Sequence, residues 1–261
     1  MNNENPPCLC ISSIIQFNSI ATKKLIIQAL KKLSTIFDLN QQILYEDEDI
    51  LVINKPAGLL TIQDGYLPDL PHLTGLLKNK YGQIMTVHRL DRMTSGVILF
   101  ARNSDAHRNL SLQFENRLIQ KKYHTLAYGT PDWVERLVDL PLLINGDRKH
   151  RTVVSLNIGK PASTLLKVMG VFTKHSFIEA TPHTGYTHQI RAHMAAIGFP
   201  LISDSLYAPK DLLSSLTQVI DRLALHAYHI QFSHPKTHRM MNLVASYPSD
   251  FGIALSNLYK A

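Results

Sequence analysis

A single carboxylate in the stretch HRLDRMTSG (residues 88–96) is the group best placed to do chemistry. Asp91 lies between Arg89 and Arg92, and a nearby positive charge favours the ionised form of an acid. An ionised carboxylate at a cleft is a nucleophile, a general base or an electrostatic stabiliser. Taken alone, such an aspartate more often caps a turn through local hydrogen bonds, so motifs elsewhere in the chain must decide its role.

Three further segments carry residues suited to the same site. Lys55 begins the stiff turn KPAGLL and places a cation at the edge of a sheet. Tyr123 follows two lysines on a strand, where it is either a core residue or a flat face for a base with a hydroxyl for proton transfer. His188 and Arg191 are three residues apart on one helix, so they share a side that the apolar stripe leaves free.

The elements that must position these residues come as runs of strands rather than as a regular strand–helix alternation. This order indicates an α+β fold instead of a doubly wound sheet. The apolar patterns predict a helix that Ser104 caps, with Leu110, Phe114 and Leu118 on one face. They also predict strands over 50–55, 97–103, 121–129 and 228–232, and three more over 151–157, 164–172 and 176–182. Helices are predicted over 73–81 and 188–198, with a helical tail from Ser249.

Composition narrows the class of protein. The chain has 261 residues, of which 45% are hydrophobic, so it can bury a core. A net charge of +7 indicates a polyanionic partner such as nucleic acid, or else a basic protein with no such partner. The two cysteines, Cys8 and Cys10, build neither a disulfide framework nor a cysteine-based zinc site. The N-terminus lacks a secretory pattern and a membrane span, so we expect a cytoplasmic protein.

The first 43 residues differ from the rest in their pattern of apolar and charged residues. The segment TKKLIIQALKKLSTIF (22–37) has an apolar stripe and lysines on another side, which predicts a basic amphipathic helix. Such a helix usually packs on the main domain, although a role at a membrane surface or on RNA is an alternative. We therefore expect an N-terminal extension over residues 1–43 and a main domain over residues 44–261.

Five segments, taken in order, resemble a known family. HRLDRMTSG, KPAGL, KKYHTLAYG, TGYTHQIRAHMAAIGFPLISDSLY and LALHAYHIQFSHPKT together are similar to the RluA class of pseudouridine synthases, which isomerise uridine in ribosomal or transfer RNA. The resemblance runs from about Leu44 to Tyr247. Two positions depart from the family pattern: Tyr186 stands where an arginine is usual, and Ser203 where a glycine is usual. Many members carry an N-terminal S4 domain, for which residues 1–43 are too short.

The resemblance implies a fold and a catalytic group. The fold is a mixed, largely antiparallel sheet with flanking helices and a central cleft. Asp91 matches the catalytic aspartate, which attacks the sugar, attacks the base or takes a proton from C2′. Arg191 matches the arginine that pairs with it. Tyr123 matches the tyrosine that stacks on the target base, and it is a candidate to remove the C5 proton.

The resemblance also implies contacts with the substrate. Leu225 matches an apolar position in the pocket wall, and Lys55 is expected near the RNA backbone. Arg89 and Arg92 either help to extrude the nucleotide or hold the turn, and His188 is expected to bind substrate. The reaction needs no metal and no redox cofactor, and we infer no membrane contact and no obligate protein partner.

Three other functions are weighed against this one. A metal enzyme would use the histidines near the C-terminus, yet no HEXXH motif and few carboxylates accompany them. A glycoside hydrolase normally needs two carboxylates that flank the scissile bond, and Asp91 has no obvious partner. A catalytically silent RNA-binding protein or RNA chaperone would have no need of Asp91, Tyr123 and Arg191 together. The histidines in question are His226, His229, His234 and His238.

Overall fold

The computed structural model describes residues 38–215 and 219–260, apart from the side chains of residues 214 and 215. The predicted amphipathic helix at residues 22–37 therefore lies outside the described residues. A single 3-10 turn, Leu39–Gln42, leads into the first strand. Among the described helices, none has the length and apolar character needed to cross a membrane.

Strands supply most of the regular structure, as the runs of apolar segments predict. Strand β2 is buried along almost its whole length, which explains why ILVINK reads as a continuous apolar run. The described strands are β1 (Ile43–Glu46), β2 (Ile50–Lys55), β3 (Met85–Thr86), β4 (Ser95–Ala101), β5 (Gln120–Tyr128), β6 (Glu135–Asp139), β7 (Leu142–Leu143), β8 (Val153–Val154), β9 (Ser163–Val171), β10 (His175–Pro182), β11 (Leu225–Ser233) and β12 (Met240–Val244).

Helices flank the sheet. The sequence predicts Ser104 as a cap, but the Asn103 side chain accepts the amide hydrogen of Ala106 and so caps the second helix. That helix also ends before Leu118, whose side chain is exposed. The described helices are α1 (Leu73–Tyr81), α2 (Ser104–Glu115), α3 (Gln189–Ala196), α4 (Lys210–Ser215) and α5 (Ser249–Lys260).

Ten strands form one mixed sheet in the order β1-β2-β4-β11-β5-β10-β9-β6, with β3 beside β4 and β12 beside β11. Every described pair is antiparallel except β4 with β11. Strands β7 and β8 form a separate two-stranded sheet. The predicted α+β class with a largely antiparallel sheet is confirmed.

The parallel pair explains the glycine in the HRLDRMTSG motif. Gly96 has φ +113°, and a Cβ atom built there would lie 2.2 Å from the carbonyl oxygen of Ala227 on β11. Strand β4 can approach β11 this closely only without a side chain at residue 96. The pairing joins the loop that carries Asp91 to the strand that carries Leu225.

Gly96→Ala is expected to lower the free energy of unfolding by about 3 kcal/mol or more, because a strained φ and a clash with backbone add together. Denaturant unfolding measures the loss. Gly198→Ala is the matched control, since Gly198 also has a positive φ but open space around the new Cβ. It should lose only about 1 kcal/mol. Equal losses for the two variants would show that the approach of β4 to β11 contributes nothing.

Candidate active site

Asp91 lies on the loop between β3 and β4, and the neighbours of this residue fix the loop. Leu90 is buried, and its backbone N–H and carbonyl both bond to the hydroxyl of Thr61. On the other side, the amide of Thr94 donates to the carbonyl of Asp91 at 3.1 Å and closes a turn. Ser95 then bonds to His226 Nδ1 at 2.9 Å. The aspartate is therefore presented on a rigid turn between two buried anchors.

Lys55 binds the loop that carries Asp91 from the interior of the protein, and its side chain does not reach the surface. Its side chain is fully buried, and Nζ donates to the carbonyls of Pro56, Leu59 and Arg92. Burial lowers the pKa of Lys55 to about 7, against the opposing field of Asp91. The expected contact with the RNA backbone is therefore wrong for this structure. Lys55 instead ties the KPAGLL turn to the Asp91 loop.

Arg191 connects two carboxylates. Its guanidinium binds Asp204 through two hydrogen bonds, Nε–Oδ2 and Nη2–Oδ1, both 2.8 Å long. Nη1 then donates to Asp91 Oδ2 at 3.1 Å. The side chains of Arg191 and Asp204 are buried, whereas 25% of the Asp91 side chain is exposed. The bidentate pair occupies the Nε–Nη2 edge and fixes the plane of the guanidinium, so that Nη1 is directed at Asp91.

The contacts of Asp91 distinguish its two oxygens. Arg191 Nη1 at 3.1 Å and His188 Nε2 at 3.7 Å both approach Oδ2. Oδ1 has no hydrogen-bond partner within residues 38–215 and 219–260. One oxygen is therefore held by a cation while the other remains available to a reacting atom, as nucleophilic or base catalysis requires.

Tyr123 and Leu225 line the same cleft as Asp91. Tyr123 projects from β5, and its ring packs between the two main apolar clusters of the core. Burial, with the negative charge of Asp91 as a smaller cause, raises the pKa of the Tyr123 phenol above its usual value. Leu225, at the start of β11, is buried beside Ile190 and Leu223. The predicted apolar wall and aromatic face thus meet at one place.

The cleft has a volume of about 1570 Å³ and opens to solvent. Arg89, Arg92 and His188 also line it. Arg89 is exposed, whereas Arg92 is half-buried. Basic side chains outnumber acidic ones in the lining, with Arg89, Arg92, Arg117, Lys121, Lys149, Arg191, Lys210 and Arg222 against Asp91, Glu115, Asp204 and Asp221. This excess suits a phosphate-bearing ligand.

Sequence reasoning missed Asp204 and Tyr207 as parts of the site. Both belong to the segment ISDSLY, and Tyr207 lies over the Arg191 guanidinium at 5.0 Å. Ser203, a departure from the family pattern, has φ +57°, which explains why glycine is usual there. Its hydroxyl donates to the carbonyl of Ile220 at 2.6 Å. Tyr186, the other departure, packs against the cluster around Leu142 at the cleft mouth.

The structure bears on the alternative functions as well. In the described residues, one group of histidines and carboxylates comes within metal-binding reach, namely Asp47, Asp49 and His234. His234 Nε2 contacts Asp47 at 2.8 Å, and backbone amides bind the other Asp47 oxygen, so hydrogen bonds account for the group. The second carboxylate near Asp91 is Asp204, whose side chain is fully buried and paired, so it cannot flank a glycosidic bond.

Comparisons of the sequence and the fold with known proteins give one consistent result. A family model described as RNA pseudouridylate synthase matches residues 49–196. The dual-specificity RNA pseudouridine synthase RluA of Vibrio vulnificus is 36% identical over 216 residues, which cover 80% of this chain and 84% of that protein. The ribosomal large subunit pseudouridine synthase C of Buchnera aphidicola subsp. Baizongia pistaciae is 37% identical over 254 residues, which cover 94% of this chain and 78% of that protein. The solved structure of human RNA pseudouridylate synthase domain containing 4 superposes with a TM-score of 0.70 at 25% sequence identity. The superposition covers 87% of this chain and 96% of the human one.

Proposed function

The chain belongs to the RNA pseudouridylate synthase family and isomerises uridine to pseudouridine in RNA, and from that premise we propose that Asp91 is its catalytic carboxylate. The observation that carries the proposal is the bond from Arg191 Nη1 to Asp91 Oδ2, which leaves Oδ1 free in an open cleft. Attack on the sugar, attack on the base and removal of the C2′ proton all require an ionised carboxylate with such a free oxygen.

Asp204 and Arg191 act together to keep Asp91 in place. The guanidinium stays charged, because two carboxylates raise the pKa of Arg191 against the cost of its burial. The charged guanidinium holds Asp91 through its 3.1 Å contact with Oδ2. Asp204 binds the Nε–Nη2 edge of Arg191 and Asp91 accepts from Nη1, so all three nitrogens are engaged and a phosphate would have to displace a carboxylate to bind this arginine. We assign Arg191 to the active site, and we assign Asp204 as the residue that positions Arg191.

Tyr123 is proposed to stack on the target base and to move one proton. Isomerisation replaces the C1′–N1 bond by a C1′–C5 bond, so one hydrogen must leave C5 and one must reach N1. The raised pKa keeps the phenol of Tyr123 protonated in the free enzyme. A protonated phenol can first donate to the uracil anion released from C1′ and then, as phenolate, take the C5 proton. The phenol is restored, and the atoms balance.

Tyr123→Phe should lower the rate constant by about 10²-fold, because proton transfer is lost while the aromatic face remains. Tyr123→Ala should in addition weaken RNA binding by about tenfold, since stacking contributes about 1–3 kcal/mol per base. Single-turnover kinetics with increasing enzyme concentration separate the two effects. A wild-type rate for Tyr123→Phe would show that the hydroxyl is dispensable and that the ring alone acts.

The substrate is proposed to be structured RNA, either ribosomal or transfer RNA. The basic lining of the cleft supports phosphate contacts, and Arg89 is exposed at its edge. Arg92 is proposed to help hold the loop, since its carbonyl receives Lys55 and the amide of Gly58. The target uridine must leave its stack to reach Asp91, which costs a few kcal/mol and less in an open loop. We further propose cytoplasmic action, no obligate protein partner, and residues 44–261 as the catalytic domain.

Mapping pseudouridine in total RNA from cells with and without this protein tests the proposed function. We expect one or a few uridines in ribosomal or transfer RNA to lose the modification when the protein is absent, and to regain it when the protein is restored. Identical maps from the two cell lines would contradict the proposal. Release of free uracil from RNA by the purified protein would instead favour hydrolysis of the glycosidic bond.

A further inference from the structure

His188 has a conformation that is uncommon for its residue type. It precedes α3 with φ +57° and ψ +17°, a left-handed backbone that a side chain with a Cβ seldom adopts. Its side chain is not used to cap the helix. The ring instead lies in the cleft between Tyr207 and Asp91.

The hydrogen-bond partners of Tyr207 determine which ring nitrogen of His188 carries hydrogen. The Tyr207 hydroxyl accepts from the amide of Thr152 at 3.0 Å and donates to the carbonyl of Thr152 at 3.1 Å. Because its one hydrogen is thereby committed, its 3.2 Å contact with His188 Nδ1 requires Nδ1–H as the donor. In a neutral ring the lone pair is then on Nε2.

The surroundings keep the His188 ring neutral. Burial lowers the pKa of His188 most, and the positive charge of Arg191 lowers it further, against Asp91 and Asp204, which raise it. Nε2 lies 3.7 Å from Asp91 Oδ2, which is too long for a hydrogen bond. Two acceptors thus face each other across a gap in the cleft. A hydroxyl placed there can donate to one of them.

We propose that His188 Nε2 accepts a hydrogen bond from the 2′-hydroxyl of the target uridine and so distinguishes RNA from DNA. The inference rests on the proposed role of Asp91, which brings C1′ or C2′ of the ribose against the carboxylate. Within an RNA chain, O3′ and O5′ are esterified, so the 2′-hydroxyl is the one free donor on that sugar. It is attached to C2′, next to C1′, and thus beside the gap between Asp91 and His188. The 2′-hydroxyl is also the group by which a protein can tell RNA from DNA.

The test uses a synthetic RNA stem–loop that contains the uridine identified by mapping, with either ribose or 2′-deoxyribose at that nucleotide alone. Wild-type protein should convert the ribose form at least about tenfold faster, because one hydrogen bond to the substrate is lost in the deoxy form. In His188→Asn the amide can replace Nδ1–H towards Tyr207, and asparagine tolerates a left-handed backbone. It places no acceptor at the position of Nε2. The ribose-to-deoxyribose ratio should fall towards one in this variant.

Two further variants separate recognition from structure. His188→Gln can place its amide oxygen near the Nε2 position and should retain part of the ratio. His238→Asn is a matched control, since His238 also has a left-handed backbone but is exposed and does not line the cleft. Thermal unfolding of all variants confirms that they are folded. A structural role for His188 would lower both rates equally and leave the ratio unchanged.

Each outcome decides the inference. An equal preference for ribose in wild type and His188→Asn would overturn it, because the 2′-hydroxyl would then matter without His188. Equal rates on both substrates with wild-type protein would overturn it as well, and the role of Asp91 would stand. No conversion of the ribose form by wild-type protein would instead contradict the proposed function itself.

Discussion

Replacing Asp91 by asparagine should slow the conversion of uridine by about 10⁴-fold or more, while RNA binding stays near the wild-type level. The amide is a poor nucleophile and a poor base, so the group that reacts is lost. The shape of the side chain is nearly unchanged, and Arg191 keeps both of its bonds to Asp204. Tritium release from RNA labelled at C5 of uridine measures the rate, and filter binding measures the affinity.

The control for this prediction is Asp69→Asn, which makes the same chemical change at an exposed residue outside the cleft lining. It should react at the wild-type rate. A parallel loss of binding in Asp91→Asn would point to a structural role for the carboxylate. Equal rates for Asp91→Asn and wild type would show that a different group does the chemistry, as in a protein that only binds RNA at this cleft.

Replacing Asp204 by asparagine should lower the free energy of unfolding by about 3 kcal/mol, because it leaves the buried guanidinium of Arg191 without its bidentate partner. Activity should fall as well, by about 10²-fold, since Arg191 would no longer hold Asp91 in a fixed position. Asp204 also accepts the amides of Leu206 and Tyr207, so its loss loosens the loop beneath Arg191. Denaturant unfolding and single-turnover kinetics measure the two effects.

A second arginine–aspartate pair in the chain offers a matched comparison. Arg222 binds Asp250 with two hydrogen bonds of 2.6 and 2.9 Å, but 45% of the Asp250 side chain is exposed. Water can reach residue 250, and Arg222 also donates to the carbonyls of Met93 and Leu223, so Asp250→Asn should destabilise the protein less than Asp204→Asn. If Asp204→Asn were no more destabilising than Asp250→Asn, the buried pair would not be the anchor of the site.

The sequence predicted six of the ten strands of the main sheet, β2, β4, β5, β9, β10 and β11, because their apolar residues form long buried runs. It failed at details that depend on local hydrogen bonds. Asn103 and Ser104 are both good helix caps, and only the bond to the amide of Ala106 selects Asn103. Strand β12, with the sequence MMNLV, was not predicted although four of its five residues are apolar, and in the structure these residues are exposed or half-buried rather than part of the core.

Part of the candidate site could be predicted from the sequence, and part could not. Asp91, Tyr123, Arg191, His188 and Leu225 come from motifs far apart in the chain, and the structure brings them to one cleft, as the resemblance implied. The place of Lys55 could not be predicted, because its burial depends on three carbonyls that converge from two loops.

Asp204 was missed for a related reason. An aspartate after a serine in a loop looks like an ordinary turn residue. Its function is apparent only when Arg191, thirteen residues earlier in the chain, is seen to pair with it. Tyr207 likewise becomes part of the site only through its contacts with Arg191 and His188 in the folded chain.

The central claim is that Asp91 isomerises a uridine extruded from folded RNA. Its most direct test is the fraction of pseudouridine at the mapped site in cells that lack the protein and are supplied with either wild type or Asp91→Asn at equal levels. We predict full modification with wild type and none with Asp91→Asn. Modification of that uridine by Asp91→Asn to the wild-type extent would contradict the account.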